Sequence, residues 1–366
     1  MKTIVATCFE SNEERLSAVS EMCQKKGFET KAFTSDFSHM RKAKRTSVPD
    51  RFIALATRPY KKNLSIERIL SHRHFAKDLF ARIEEEKPDL IWLMAPANSL
   101  IYEARRYKEN HPDTKIIIDI IDMWPESLPY KINKNVFPLN IWRNVRSRNL
   151  NCADLLVSEC DLYQNILKKE YRGKIETLRW AREGKAVRND VNASDDVVSL
   201  CYLGSINNII DTERIASVIS GIDMPVVLHV IGEGENTGRF LDTLKTVCEV
   251  IYHGAIRDED RKCKIFDLCH AGINIYKEGL YIGLTVKCID YFQHGLPIIN
   301  NIKGDTWDLV EKYSAGINVR KDTIIDGRKL IAMKKNNGNV LDLFDENLTK
   351  DIFYERCSEI IDEVIK

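Results

Sequence analysis

The stretch DLIWLMAPANSLIYEARRYKENHPDTKIIIDI, residues 89–120, decides the fold class. It opens with the apolar run DLIWLMAP (89–96), closes with KIIIDI (115–120), and has helical spacing of apolar residues in between. Near-continuous apolar strands separated by helices are typical of a parallel sheet that is covered on both faces. We therefore expect a doubly wound α/β domain around these two strands.

The same alternation extends through the rest of the chain. The first half predicts further strands at 3–8, 30–34, 154–159 and 174–178, and the second half predicts six, at 198–204, 225–232, 250–254, 271–276, 297–300 and 314–319. A polar stretch without periodicity, 181–197, separates the two sets and is interpreted as a linker. The 366 residues suit two Rossmann-like domains, 1–185 and 195–347, and a closing helix in 348–366 that packs back on the first domain.

Composition excludes several classes of protein. Hydrophobic residues make up 44% and charged residues 30%, as in a globular protein. No apolar run approaches the roughly 18 residues of a membrane span, and MKTIVATCFESNEERL predicts a first strand rather than a signal peptide. The ten cysteines include no CxxC pair, which favours reduced thiols in a cytoplasmic protein over a disulfide framework or a zinc site.

The net charge of +1 conceals an asymmetry. Residues 1–190 carry 35 basic and 26 acidic side chains, whereas residues 191–366 carry 20 and 28, so we expect different partners for the two halves and no nucleic acid. The run RKAKR (41–45) favours either a solvated surface or contact with an anionic membrane. His72 and His74 are predicted to pair with surface acids.

Glycine patterns argue against a dinucleotide cofactor of the usual kind. The first strand–helix turn, TCFESN (7–12), has no glycine where a GxGxxG motif would allow the backbone to approach a pyrophosphate. VIGEGENTGRF (230–240) has GxGxxxG spacing, which indicates either a tight turn or a place where a phosphate or sugar approaches a helix start.

Carboxylates and an aromatic ring follow the strand KIIIDI, in DMWPES (122–127). Carboxylates accept hydrogen bonds from sugar hydroxyls, and the indole could cover an apolar sugar face. The other interpretation is a tryptophan packed on a turn that Asp122 caps. The residues themselves leave both open.

The segment KEGLYIGLTVKCIDYFQHGLP (277–297) predicts a loop and then a helix over 284–294 that Gly295 ends. Thr285 and Lys287 fall in the first turn, where free N–H groups and the helix dipole suit a phosphate. Asp290 lies on the same face and could accept from ribose hydroxyls. The alternative is an ordinary surface pair between Lys287 and Asp290.

The pattern Gly283-x-x-x-Lys287-x-x-Asp290-Tyr291-x-x-x-Gly295-x-Pro297 resembles the donor-nucleotide motif of GT-B glycosyltransferases, particularly the retaining family-4 enzymes. IIDMWPESLP (120–129) is similar to an Asp-Leu-Trp-Pro-Glu segment of bacterial members that build capsule and O-antigen. The turns YLGS, VIGEG and YHGAI fall where that family has glycine turns, so the resemblance covers nearly the whole chain in order.

This resemblance implies a glycosyltransferase that moves a sugar, with retention, from a nucleotide-sugar bound by the second domain to a glycan or polyprenyl-diphosphate-linked acceptor on the first. It implies no metal or other cofactor, and a cytoplasmic protein at the inner face of the membrane. The implied catalytic residues are Asp122, Glu278 and Lys287. The implied donor-binding residues are Gly204, Ser205, Gly232, Gly234, Gly254, Ile256, Gly283, Thr285, Lys287 and Asp290. Acceptor or membrane contacts are implied for Trp124, Glu126, Arg41, Lys42, Lys44 and Arg45.

The chain departs from the family pattern at four places. Ile121 stands where a His often precedes the Asp of the Trp-Pro segment. Asp290 stands where the family has Glu, and Ile282 stands where it has a second Glu, for which Glu278 is the nearest carboxylate. The turn GSINN (204–208) lacks the Arg and Lys that grip the diphosphate. Two other functions therefore stay open: a non-catalytic nucleotide-sugar-binding partner subunit, and a GT-B-like nucleotide-sugar epimerase.

Overall fold

The computed structural model describes residues 1–128, 139–187, 194–321 and 323–366. The described strands are β1 Lys2–Thr7, β2 Glu29–Ser35, β3 Phe37–Ser38, β4 Ala43–Lys44, β5 Ile53–Leu55, β6 Leu90–Ala95, β7 Lys115–Ile120, β8 Leu155–Ser158, β9 Ile175–Thr177, β10 Val198–Leu203, β11 Val226–Ile231, β12 Glu249–Gly254, β13 Ala271–Asn274, β14 Ile298–Asn300 and β15 Gly316–Asn318. The described helices are α1 Glu13–Lys25, α2 Ile66–Glu86, α3 Asn98–Asn110, α4 Leu139–Ser147, α5 Asp161–Glu170, α6 Thr212–Ser220, α7 Thr237–Leu244, α8 Glu259–Phe266, α9 Val286–Gln293, α10 Asp305–Tyr313, α11 Gly327–Lys335, α12 Gly338–Asn347 and α13 Lys350–Ile365.

The first sheet has seven parallel strands in the order β5-β2-β1-β6-β7-β8-β9. Every residue of β6 is buried, as the apolar run at 89–96 predicts for a central strand with helices on both faces. β6 pairs with β7 in a register that sets Trp92 beside Ile117. The order reverses between β1 and β6, and ligands of open α/β sheets bind beyond the strand ends at such a point.

The second sheet has six parallel strands in the order β12-β11-β10-β13-β14-β15. Its reversal lies between β10 and β13, whose paired residues are Leu200 with Ala271 and Cys201 with Gly272. The buried apolar side chains of these two strands pack with those of α6, α7 and α11 in one cluster. The prediction of two doubly wound parallel sheets is confirmed, and all twelve predicted strands are present.

The chain divides into two compact units. The first contains residues 1–128, the described part of 139–179, and Phe353–Lys366, so most of α13 belongs to the first unit. The second contains the described residues between Trp180 and Ile352. Of the predicted linker, 188–193 lie outside the described residues, while Arg182, Ala186 and Val187 donate backbone N–H bonds to acceptors within the second unit.

Three short strands of the first unit were not predicted. β3 and β4 form a two-residue antiparallel hairpin, and β5 adds three residues to the edge of the sheet. No helix among the described residues combines the length and apolar character that crossing a membrane requires. All ten cysteines are free thiols, and seven of them are buried.

Candidate functional site

The start of helix α9 forms one wall of a cavity in the second unit. Thr285 is the extended residue before the helix, which begins at Val286, two residues later than the sequence predicts. Gly295, with φ of 57°, follows the helix end as expected. The cavity has a volume of about 410 Å³ and is lined by Leu203, Gly204, Ser205, Asn207, Ile209, Ile210, Tyr276, Thr285, Val286, Lys287 and Asp290.

Lys287 is the dominant charge of this cavity. The residue is 9% exposed, and among the described residues its Nζ has no hydrogen-bond partner. The Nζ lies 4.4 Å from the ring centroid of Tyr202 and 4.7 Å from that of Tyr276, so two aromatic faces hold the cation. Burial lowers the pKa of Lys287 to about 8. The cavity therefore offers a desolvated ammonium whose donors remain available to an anion.

Asp290 also lines the cavity, but its carboxylate is bonded to other cations. Its Oδ1 accepts from Arg182 Nε at 2.7 Å, and its Oδ2 lies 3.8 Å from Lys262 Nζ. The alternative of a surface pair between Lys287 and Asp290 is wrong, because both residues are buried and Asp290 pairs with Arg182 instead.

The glycines of the VIGEG turn have a packing role. A Cβ on Gly232 would lie 2.0 Å from the carbonyl oxygen of Gly204, and one on Gly234 would lie 2.3 Å from that of Ile206. These glycines let the turn after β11 pack tightly against the turn after β10. Gly204 itself has φ of 119°, and a Cβ there would lie 3.9 Å from Lys287 Cε, inside the cavity.

The predicted donor residues thus separate into two groups. The cavity lining brings together Gly204, Ser205, Thr285, Lys287 and Asp290. Outside that lining lie Gly232, Gly234, Gly254, Ile256 and Gly283. Gly283 is buried, and its carbonyl accepts from the backbone and side chain of Thr306. Glu278 is exposed and does not line the cavity either.

In the first unit, Asp122 and Trp124 form a bonded turn beyond β7. Trp124 Nε1 donates to Asp122 Oδ2 at 2.7 Å, and Ser127 Oγ donates to Asp122 Oδ1. Burial raises the pKa of Asp122, although these two hydrogen bonds act in the opposite direction. The Trp124 ring is half-buried and lies 4.2 Å from the guanidinium carbon of Arg68.

Glu126, predicted as an acceptor contact, is an ion-pair partner. It accepts from Arg143 Nε at 2.6 Å and from Arg146 Nη1 at 2.8 Å. Burial alone would raise the pKa of Glu126, but Arg146 and Arg143 hold it below its ordinary value.

The basic residues of the run 41–45 divide into two that are bonded within the unit and two that are exposed. Arg45 is bonded to Glu13, and Lys42 donates to the His39 carbonyl and to Asn63 Oδ1. Arg41 is exposed, and Lys44 is exposed beside Asp36 at 3.0 Å. Only Arg41 and Lys44 of this run are therefore presented outward.

Several residues around the cavity were not predicted. Tyr202 and Tyr276, which hold Lys287, belong to strand-like runs that look like ordinary core. Arg182 and Lys262 reach Asp290 from 108 and 28 positions away, so no local spacing signals them.

No family model matches the sequence, and no curated protein matches it. Solved structures do. Sucrose-phosphate synthase from Thermosynechococcus elongatus has a TM-score of 0.74 at 11% identity, covering 100% of this chain and 99% of that one. The apo form of the lipopolysaccharide outer core galactosyltransferase WaaB has a TM-score of 0.69 at 12% identity, covering 99% of each chain. Anabaena HepE in complex with UDP has a TM-score of 0.66 at 10% identity, covering 99% and 100%.

These likenesses span both units and nearly every residue of each chain. At such low identity they show a shared fold and do not show a shared substrate. This chain has two parallel sheets of seven and six strands, and the structural similarity covers both of them. The protein has the fold of the GT-B glycosyltransferases.

Proposed function

We propose that the protein is a glycosyltransferase whose second unit binds the diphosphate of a nucleotide-sugar in the cavity at the start of α9. The observation that carries this proposal is Lys287. A buried ammonium with no hydrogen-bond partner among the described residues costs free energy in the free protein, and an anion in the cavity would remove that cost. The positive end of the helix dipole points into the same space.

The proposed chemistry follows from where this charge stands. In glycosyl transfer, negative charge develops on the leaving diphosphate, and a fixed cation in a low-dielectric site stabilises it. Lys287 supplies that charge, so the proposed mechanism requires no metal ion. Ser205 and Asn207 add polar groups to the lining of the same cavity, where the resemblance implies basic residues.

The finer parts of the proposal are supported by the resemblance and by the names of the similar structures. We place Asp290 at the ribose, held by Arg182, and Asp122 at the acceptor. We propose transfer with retention in the synthesis of a bacterial surface polysaccharide; WaaB acts in the lipopolysaccharide outer core, and HepE is in complex with UDP.

We further propose that the first unit binds an anionic membrane. Large apolar side chains are exposed at Met40 (80%) and Ile66 (72%), and the Lys42–Asn63 hydrogen bond brings their segments together. Exposed basic residues lie near these segments in the sequence, at Arg41, Lys44, Lys61 and Lys62. Apolar side chains rimmed by cations suit a surface of acidic lipids.

A panel of nucleotides and nucleotide-sugars tests the donor site. Binding at 100 times Kd adds about 2.7 kcal/mol, which raises the melting temperature of a unit of this size by roughly 5–10 °C. Lys287→Met should lower the affinity for the nucleotide roughly 10- to 100-fold, because a charge-assisted hydrogen bond is lost. Lys277→Met, an exposed neighbour outside the cavity, is the matched control.

Turnover separates the proposal from its two rivals. A transferase consumes donor in proportion to glycosylated acceptor. A binding subunit would show the thermal shift with no turnover, and an epimerase would convert the donor alone. Equal nucleotide affinity in wild type and a folded Lys287→Met protein would contradict the donor-site assignment.

A further inference from the structure

Two cations of the first unit lie close together, and the acids nearest them act on them only through space. Arg68, on α2, is 6% exposed, and Lys42 is half-buried. Both contact Asn63, since Arg68 Nη1 donates to its carbonyl oxygen at 3.1 Å and Lys42 Nζ donates to its Oδ1. Within the part of the chain that the structure describes, neither forms an ion pair. Like charges held together at a partly buried site repel each other, so the site favours an added anion.

The neighbouring titratable groups supply negative charge only at a distance. Glu10 attracts Lys42 through space, but its oxygens accept from Ser38 Oγ and from the backbone N–H groups of His39 and Met40. Burial lowers the pKa of His39 to about 4 and holds the pKa of His72 well below its ordinary value, so both imidazoles are neutral at pH 7. Asp122 attracts Arg68 through space, but its oxygens are bonded to Trp124 and Ser127. His72 is not the surface residue that its helical position predicts, since it is 2% exposed. Its Nδ1 has no hydrogen-bond partner among the described residues.

Aromatic rings surround these polar groups. Arg68 lies 4.2 Å from the Trp124 ring centroid and 5.9 Å from that of Tyr60, and the ring of Trp142 lies 5.7 Å from that of Trp124. Lys42 lies 4.8 Å from the ring centroid of Tyr60. Aromatic faces beside a cation suit a ligand that combines an anionic group with a sugar or an isoprenoid.

The same cluster contains three groups that could ligate a metal ion. Cys8, His39 and His72 have ligand atoms within 4.8 Å of one another. However, Arg68 Nε lies 3.5 Å from His72 Nε2, and His39 Nε2 lies 2.7 Å from the Cys8 carbonyl oxygen. A divalent cation would stand against a guanidinium here, whereas an anion would be attracted by it. The charges therefore favour an anion over a metal.

We propose that Arg68 and Lys42 bind a phosphate group of the acceptor, with Arg68 as the fork that grips it and Trp124 and Tyr60 as the walls beside it. A guanidinium matches two phosphate oxygens at once, which an ammonium cannot do. This inference rests on the proposed transferase function, and it narrows the acceptor to a phosphorylated one: a sugar phosphate or a lipid-linked diphosphate.

Calorimetric titration of the full chain with glucose 6-phosphate, farnesyl diphosphate and glucose tests the site. At least one phosphorylated probe should bind 10-fold or more tightly than glucose. The probe that binds identifies the source of the phosphate, whether sugar phosphate or lipid diphosphate. Arg68→Met and Lys42→Met should each weaken that probe roughly 10- to 100-fold. Arg73→Met, an exposed arginine on the same helix, should leave it unchanged.

Nucleotide affinity separates this inference from the donor-site proposal, because Arg68→Met should not alter it. If the wild type shows neither nucleotide binding nor turnover but still binds a phosphorylated probe, the transferase proposal is refuted and the anion site is not. Equal binding of glucose and the phosphorylated probes would overturn the anion site, as would an equal effect of Arg73→Met and Arg68→Met. If Arg68→Met fails to fold by circular dichroism, the half-buried Lys42→Met decides, and wild-type affinity in that variant overturns the inference.

Discussion

Two buried cations of this protein have opposite surroundings. In the first unit, Arg15 donates from Nε and Nη2 to both oxygens of Asp119, at 2.8 and 3.0 Å, and both side chains are fully buried. Trp92 Nε1 adds a third bond to that carboxylate at 3.1 Å. In the second unit, Lys287 has aromatic rings around it and no described acceptor. Removing one partner of a buried ion pair destabilises the fold, whereas a buried cation at a cavity with no described acceptor is available to a ligand.

The largest expected effect comes from breaking the paired cation. Asp119→Ala removes the buried carboxylate that both Arg15 and Trp92 bond, which should destabilise the protein by about 3–5 kcal/mol. The melting temperature of the first unit should fall by roughly 10 °C. Asp78→Ala, which removes a largely exposed pair with His74, should change stability by less than about 0.5 kcal/mol. Similar melting temperatures of the two variants would contradict the claim that losing Asp119 costs more stability than losing the partner of an exposed pair.

Removing Lys287, the buried cation at the cavity, should instead stabilise the folded protein. Burial depresses the pKa of Lys287 to about 8 in the folded chain, so the protonated form opposes folding at full strength below pH 8. This cost shrinks above pH 8 and vanishes near the unfolded pKa of about 10.4. Lys287→Met should therefore raise stability by about 1 kcal/mol at pH 7, after the loss of the cation–π contacts, and the gain should be smaller at pH 9. A destabilised variant at pH 7 would show that Lys287 has a partner in the free protein.

Asp290 should behave as an intermediate case, because it lies at the cavity yet is already paired. If it accepts from ribose, Asp290→Asn should raise KM by roughly 2- to 10-fold and leave kcat nearly unchanged, since ribose carries no developing charge. Steady-state kinetics in the donor concentration measures both. An equal fall in kcat and kcat/KM would instead place Asp290 in the catalytic machinery.

The smallest expected effect concerns the exposed charges of the first unit. Arg41→Gln should weaken binding to vesicles of acidic phosphatidylserine and neutral phosphatidylcholine by at most about 1 kcal/mol, or roughly 5-fold, and less at high salt. Lys245→Gln, an exposed lysine of the second unit, should have no effect. Equal sedimentation with purely neutral vesicles would contradict an electrostatic membrane surface.

The sequence predicts the sheets well because their strands are apolar runs that must be buried on both faces. It does not predict β3, β4 and β5, because strands of two or three residues are too short to show a hydrophobic pattern. Lys287 is predictable because it opposes the dipole at a helix start and so needs another reason to be there. Its tyrosine partners and the Arg182–Asp290 pair are not, because tertiary packing alone brings such distant positions together. For the same reason His72 was expected on the surface and lies in the core.

The central claim is that Lys287 binds the diphosphate of a nucleotide-sugar. Its most direct test is calorimetric binding at pH 8.5 in two buffers of different ionisation enthalpy. With a free pKa of about 8, most Lys287 side chains are neutral at pH 8.5, and a bound diphosphate should raise that pKa. The account predicts net proton uptake on binding in the wild type and none in Lys287→Met. Binding heats that do not depend on the buffer in the wild type would contradict it.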